Sequence, residues 1–114
     1  MATIKAFSDL QQSKKLAEIL PIESADMYWW SSGKRYYIEA MEDGDFNEGE
    51  GHIRAWSLAA LLSVLPEIQG GKPAISLDDN YITYPHVSDL HTKADNLIDA
   101  CYEIIIKLNE LNLL

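Results

Sequence analysis

The chain has 114 residues, 47% of them apolar and 24% charged, a composition of ordinary globular domains and far from disordered ones. Eighteen acidic side chains against nine basic ones leave a net charge of −9, so a polyanion is repelled by this surface and direct nucleic-acid binding is not expected. The lone cysteine, Cys101, excludes an internal disulfide, Met1 to Lys5 lacks the apolar stretch of a secretory signal, and the longest apolar run, Ala55 to Leu65, is shorter than the roughly 20 residues that cross a bilayer. The expectation is a cytoplasmic protein without a membrane partner, folded as one α+β domain over residues 1–114.

Ser8 followed by Gln11 has the spacing of a capping box, and Leu10, Leu16, Ala17, Ile19 and Leu20 recur at helical steps before Pro21. Ser8 to Leu20 therefore reads as an amphipathic helix. Asp26 to Trp30 and Arg35 to Met41 are rich in strand-favouring aromatics and flank Ser31-Ser32-Gly33-Lys34, which reads as the turn of a hairpin. Glu42 to Gly51, with three glycines and many acids, reads as an exposed loop.

Ser57 to Leu65 is apolar nearly all round, as in a helix buried between layers, and Pro66 ends it. Ala74 to Leu77 and Tyr81 to Tyr84 around Asp78-Asp79-Asn80 read as a second, short hairpin. From Ala94 to Leu111 the apolar positions recur at three- and four-residue steps, the strongest helical periodicity in the chain, with Thr92 or Asp95 as the expected N-cap. The expected architecture is helix, hairpin, helix, hairpin, helix, with about four antiparallel strands packed against three helices. Leu20-Pro21 and Leu65-Pro66 stand 45 positions apart (65 − 20), and the same offset pairs Leu16 with Leu61 and Tyr36 with Tyr81, so an internal duplication is one reading of the pattern.

Two surfaces carry candidate sites. Tyr28, Trp29, Trp30, Tyr36 and Tyr37 crowd aromatic rings into one hairpin, where alternation along a strand sends some of them to each face. An outward face would offer flat contact area at low entropic cost to a sugar, a peptide or a protein partner, a second copy included. The second is Glu39 to Glu50, which holds six of the eighteen acids, and in which Asp43, Asp45 and Asn47 match the first half of a calcium loop. The second half does not match, since Glu48 and Arg54 stand where that loop needs glycine and glutamate.

Other chemistry finds little support. His52, His86 and His91 lack zinc-ligand spacing, and Cys101 lies on an apolar helical stripe where a thiol is a packing residue. Neither a phosphate loop nor a dinucleotide fingerprint occurs, so no cofactor and no catalytic residue is expected.

Ser13 to Met27, Trp56 to Leu62 with Leu65-Pro66, and Asp99 to Leu114 resemble short uncharacterised proteins of gut bacterial genomes and their phages or mobile elements. The resemblance implies a mobile-element accessory protein and carries no activity with it. The leading expectation is a non-catalytic accessory or protein-interaction domain. The alternatives are an acidic mimic of nucleic acid that blocks a DNA-binding protein, and a small ligand- or metal-binding enzyme whose site assembles from distant residues.

Overall fold

A computed structural model describes residues 5–42 and 46–114. In chain order the elements are α1 (Leu10–Ile19), β1 (Met27–Ser32), β2 (Arg35–Ala40), β3 (Ile53–Ala55), α2 (Leu58–Ser63), β4 (Ala74–Ser76), β5 (Tyr81–Thr83), β6 (His91–Lys93) and α3 (Leu97–Glu110). The fold is α+β, but the expected four strands are six, arranged as two three-stranded antiparallel sheets of order β2-β1-β3 and β4-β5-β6. The two added strands, β3 and β6, are three residues each and complete sheets whose other strands the aromatic and β-branched runs mark. The wiring also differs: the first strand is central in one sheet and the second strand in the other. The two strand orders differ, so the topology lends the internal duplication no support.

The first helix starts one residue later than the Ser8 box implies. Asp9 is the N-cap: its carboxylate accepts the Gln12 N–H, and the Gln12 side chain accepts the Asp9 N–H. Ser8 is spent elsewhere. It is fully buried, its hydroxyl accepts the Trp56 N–H at 3.0 Å, and its own N–H donates to the Trp56 carbonyl at 2.8 Å. The N-cap of α3 likewise moves to Asn96, whose side chain accepts the Asp99 N–H. Thr92 is unfree for that role because its buried hydroxyl donates to the Ala100 carbonyl at 2.8 Å, and the Asp95 carbonyl accepts from the Asn80 amide. The Ser57–Leu65 helix contracts to the six residues of α2, capped by Ser57, with Leu61 its one buried side chain. Asp26 accepts both the N–H and the hydroxyl of Ser57, which ties the start of α2 to the entry of β1.

The core is built around α3, whose Leu97, Ile98, Ala100, Cys101, Ile104, Ile105 and Leu108 are all buried. They meet Leu16 and Leu20 from the first helix, Trp56 and Leu61 from the middle of the chain, and Ile82 and Tyr84 from the second sheet. Full burial of each such side chain contributes about 1.5–3 kcal/mol, so this cluster dominates the stability of the fold. Among the described residues, no helix is long and apolar enough to cross a membrane.

Candidate functional site

The register of the first sheet sorts its side chains into two faces, because directly paired residues point the same way. Tyr28 pairs with Glu39 and Arg54, and Trp30 with Tyr37; Trp29 pairs with Ile38 and Ile53, and Ser31 with Tyr36. Trp29 is therefore on the opposite face from Tyr28 and Trp30. It packs edge-on against Phe7 at 5.7 Å and donates its indole N–H to the Ser8 carbonyl, so it anchors the chain before α1.

On the Tyr28 face, the inner half of the sheet is covered by the chain returning from β2. Tyr28, only 4% exposed, stacks on His52 at 4.9 Å, meets Phe46 edge-on at 5.9 Å and donates its hydroxyl to Glu39 at 2.9 Å. His52 accepts the Asn47 N–H through Nδ1, and the Asn47 side chain accepts the Gly49 N–H, capping the short 3-10 helix Glu48–Glu50. Arg54 locks this arrangement: its guanidinium reaches Glu48 at 3.0 Å and the α1 carbonyls of Ala17 and Leu20 at 3.0 and 3.3 Å. A cation at those carbonyls also complements the helix dipole.

The outer half of the ribbon is different. β1 pairs with β2 along all six residues but with β3 only over Met27 to Trp29, so the end from Trp30 to Tyr37 is two strands wide. It turns at Gly33, whose φ of +66° suits glycine, and Lys34. Trp30 and Tyr37 stack there at 4.7 Å, and the Trp30 indole N–H is shut off from solvent with no acceptor among the described residues. Tyr36 and Tyr37 are 47% and 41% exposed on opposite faces.

The five aromatic candidates thus separate: Tyr28 and Trp29 are structural anchors, while Trp30, Tyr36 and Tyr37 form the open end. Of the calcium-loop candidates, Asp43 and Asp45 lie outside the described residues, and the Asn47 side chain is engaged in the turn just noted. No group of three or more His, Cys, Asp or Glu side chains suited to a metal occurs among the described residues. His91, expected beside a loop, instead lies in β6. The Cys101 thiol is fully buried, and burial pushes its pKa up to about 12, which suppresses the nucleophilic thiolate.

Among the described residues, the outer edge of β2 is the longest free strand edge. Met41 donates its N–H across to the Asp26 carbonyl, so by alternation Tyr37 and Glu39 also face β1, while Tyr36, Ile38 and Ala40 turn N–H and C=O outward. No described residue pairs with that edge. The edge at β4 is only three residues long and follows Lys72-Pro73, features that blunt strand addition.

A second feature was invisible in the sequence. Lys15, Lys93, Lys107 and His91 meet Glu103 and Glu110 around a groove of about 650 Å³ that Tyr102 and Ile106 also line. These positions lie on α1, β6 and α3, and no linear run of basic residues signals them. No family model, curated protein or solved structure matches the chain.

Proposed function

We propose that the chain is a non-catalytic protein-interaction domain whose docking surface is the free edge and outer end of the β1–β2 ribbon. The observation that carries this reading is a six-residue strand with an unpaired edge, flanked by exposed Tyr36 and Tyr37 and the stacked Trp30. An unpaired edge supplies main-chain hydrogen bonds to an added strand, and the aromatic rings beside it supply contact area. The accessory role implied by the mobile-element resemblance suits such a domain. The test is a photo-crosslinking residue placed at Tyr37, with the same residue at exposed Leu77 as control. The reading expects protein adducts from position 37, lost in Tyr36→Ser/Trp30→Ala background, and few from position 77. Equal yields at the two positions would overturn it.

The groove along α3 supports a second reading, a site for a small anion with an apolar body, such as an aromatic carboxylate. Tyr102 and Ile106 supply the apolar half, and three lysines against two glutamates, Glu103 and Glu110, leave an excess of positive charge, with Lys107 held by the His91 carbonyl. A carboxylate of this class should raise the melting temperature of the native chain and not that of Lys93→Gln/Lys107→Gln; equal shifts in both would remove the reading.

A further inference from the structure

We infer that the occupant of the β2 edge is a second copy of this chain, paired antiparallel through a two-fold axis at Tyr37. The inference rests on reading that edge as the docking surface and names its partner.

Backbone phase limits the ways two β2 edges can join. Tyr36, Ile38 and Ala40 face outward, so an antiparallel partner must set outward residues opposite outward residues. Only every second register satisfies this. With the axis at Tyr37, Tyr36 meets Ile38 of the second copy, and Arg35 meets Glu39 of the second copy, twice by symmetry. The two Tyr36–Ile38 pairs are of the hydrogen-bonded kind and exchange about four main-chain bonds. The axis at Ile38 places Tyr37 against Glu39 and pairs no opposite charges, and the next register sets Glu39 against Glu39. Like charges directly opposite are destabilising and unlike charges favourable, so side-chain charge selects the Tyr37 axis from the set that the backbone allows.

The faces agree with this choice. Arg35, Tyr37 and Glu39 share the face that carries Trp30, so each Arg35–Glu39 pair would flank the two Tyr37 rings. On the other face, Tyr36 would be covered by Ile38 of the second copy, which removes from water a ring that is 47% exposed in the single chain. Glu39 already accepts the Tyr28 hydroxyl at 2.9 Å, which holds its carboxylate on that face. The product is one continuous six-stranded sheet, β3-β1-β2 joined to its symmetry mate. Strand addition buries less than the roughly 1,600 Å² of a standard stable interface, so the dimer is weak and concentration-dependent.

Sedimentation equilibrium of the full chain over a concentration series tests this, with circular dichroism confirming that each variant folds. The wild type should shift from one mass to twice that mass. Arg35→Glu and Glu39→Lys should each weaken the dimer by about tenfold or more, since each replaces two attractive pairs with two repulsive ones. An equimolar mixture of the two variants should recover it, because in the mixed dimer both pairs are again of opposite charge. Ile38→Pro, which deletes an outward N–H, should abolish association. A wild type that stays monomeric at its highest soluble concentration overturns the inference, as does a dimer indifferent to both charge reversals. If position 37 crosslinks to other proteins while the chain remains monomeric, the docking reading stands and self-pairing alone falls.

Discussion

The central strand of the second sheet and the edge strand of the first are buried to very different degrees. In the second sheet, β5 is sealed: Ile82 and the following Tyr84 are 0% and 1% exposed beneath α3. In the first, five of the six β2 residues are exposed, and only Ile38 is partly covered. Strand length runs the other way, with three-residue strands throughout the sealed sheet and six-residue β1 and β2 beside the short β3 in the open one. Aromatic, extended sequence therefore marks where this chain can form strands, whereas burial follows from which sheet α3 lies upon. A long strand that the core does not claim is a surface held ready for something else.

The sharpest way to break this contrast is to hollow out the sealed side. Ile104→Ala should cost about 2–5 kcal/mol, read as a lower urea midpoint with unchanged slope, because the tightly packed α3 face cannot collapse around the lost atoms. A loss near zero would mean that the core does not centre on α3. Removing the cap in Asp9→Ala should cost about 1 kcal/mol, and the same measurement should show it.

A smaller effect is set by pH at the seam between α1 and α3. Lys5 donates to Asp99 at 2.8 Å, to Asp9 at 2.9 Å and to Gln12 at 3.0 Å. Burial alone would raise the Asp99 pKa, but hydrogen bonds from Lys5, Gln12 and Asn96 outweigh it and hold the carboxyl below its ordinary 3.8. A depressed carboxyl contributes stability above its unfolded pKa and loses it as pH falls through the folded value. Asp99→Asn should therefore flatten the decline in melting temperature below about pH 4 and leave its shape at neutral pH unchanged. Burial opposes the Lys5 charge as well, yet its hydrogen bonds to Asp99 and Asp9 raise its pKa above 10.5, so its share is full below that pH and fades above it.

The smallest change belongs to the open side. Tyr36→Ser should alter stability by no more than about 0.5 kcal/mol, as befits an exposed position outside the core. Amide exchange in dilute solution should alternate along β2, fast at Tyr36, Ile38 and Ala40 and slower at Tyr37 and Glu39. Uniform protection along the strand would show that its outer edge is occupied in the single chain.

Much of the frame was legible where a pattern is long enough to count. The fourteen residues of α3 and the aromatic runs of β1 and β2 announce themselves by period and composition. Ile53-Arg54-Ala55 and His91-Thr92-Lys93 do not, because three residues carry no measurable alternation and each becomes a strand only by pairing with a neighbour. The caps failed for a related reason. Ser8 and Thr92 have suitable side chains, but tertiary contacts to Trp56 and Ala100 had already used them. Of the candidate site, the aromatic composition could be read in advance, whereas the division of Tyr28 and Trp29 from Trp30, Tyr36 and Tyr37 required the register. The lysine-rimmed groove could not be read at all, since it exists only once positions 15, 93 and 107 are brought together.

The contact between Lys5 and Asp99 joins groups 94 residues apart, and Leu16 and Leu20 share one core with α3. During synthesis, then, the ribbon emerges long before the helix that completes the domain. Until α3 is made, the core that Leu16 and Leu20 join stays open and the β2 edge is exposed on a chain that cannot yet close. On crowded polysomes, neighbouring nascent chains would present the same edges to one another before the core that α3 completes has closed.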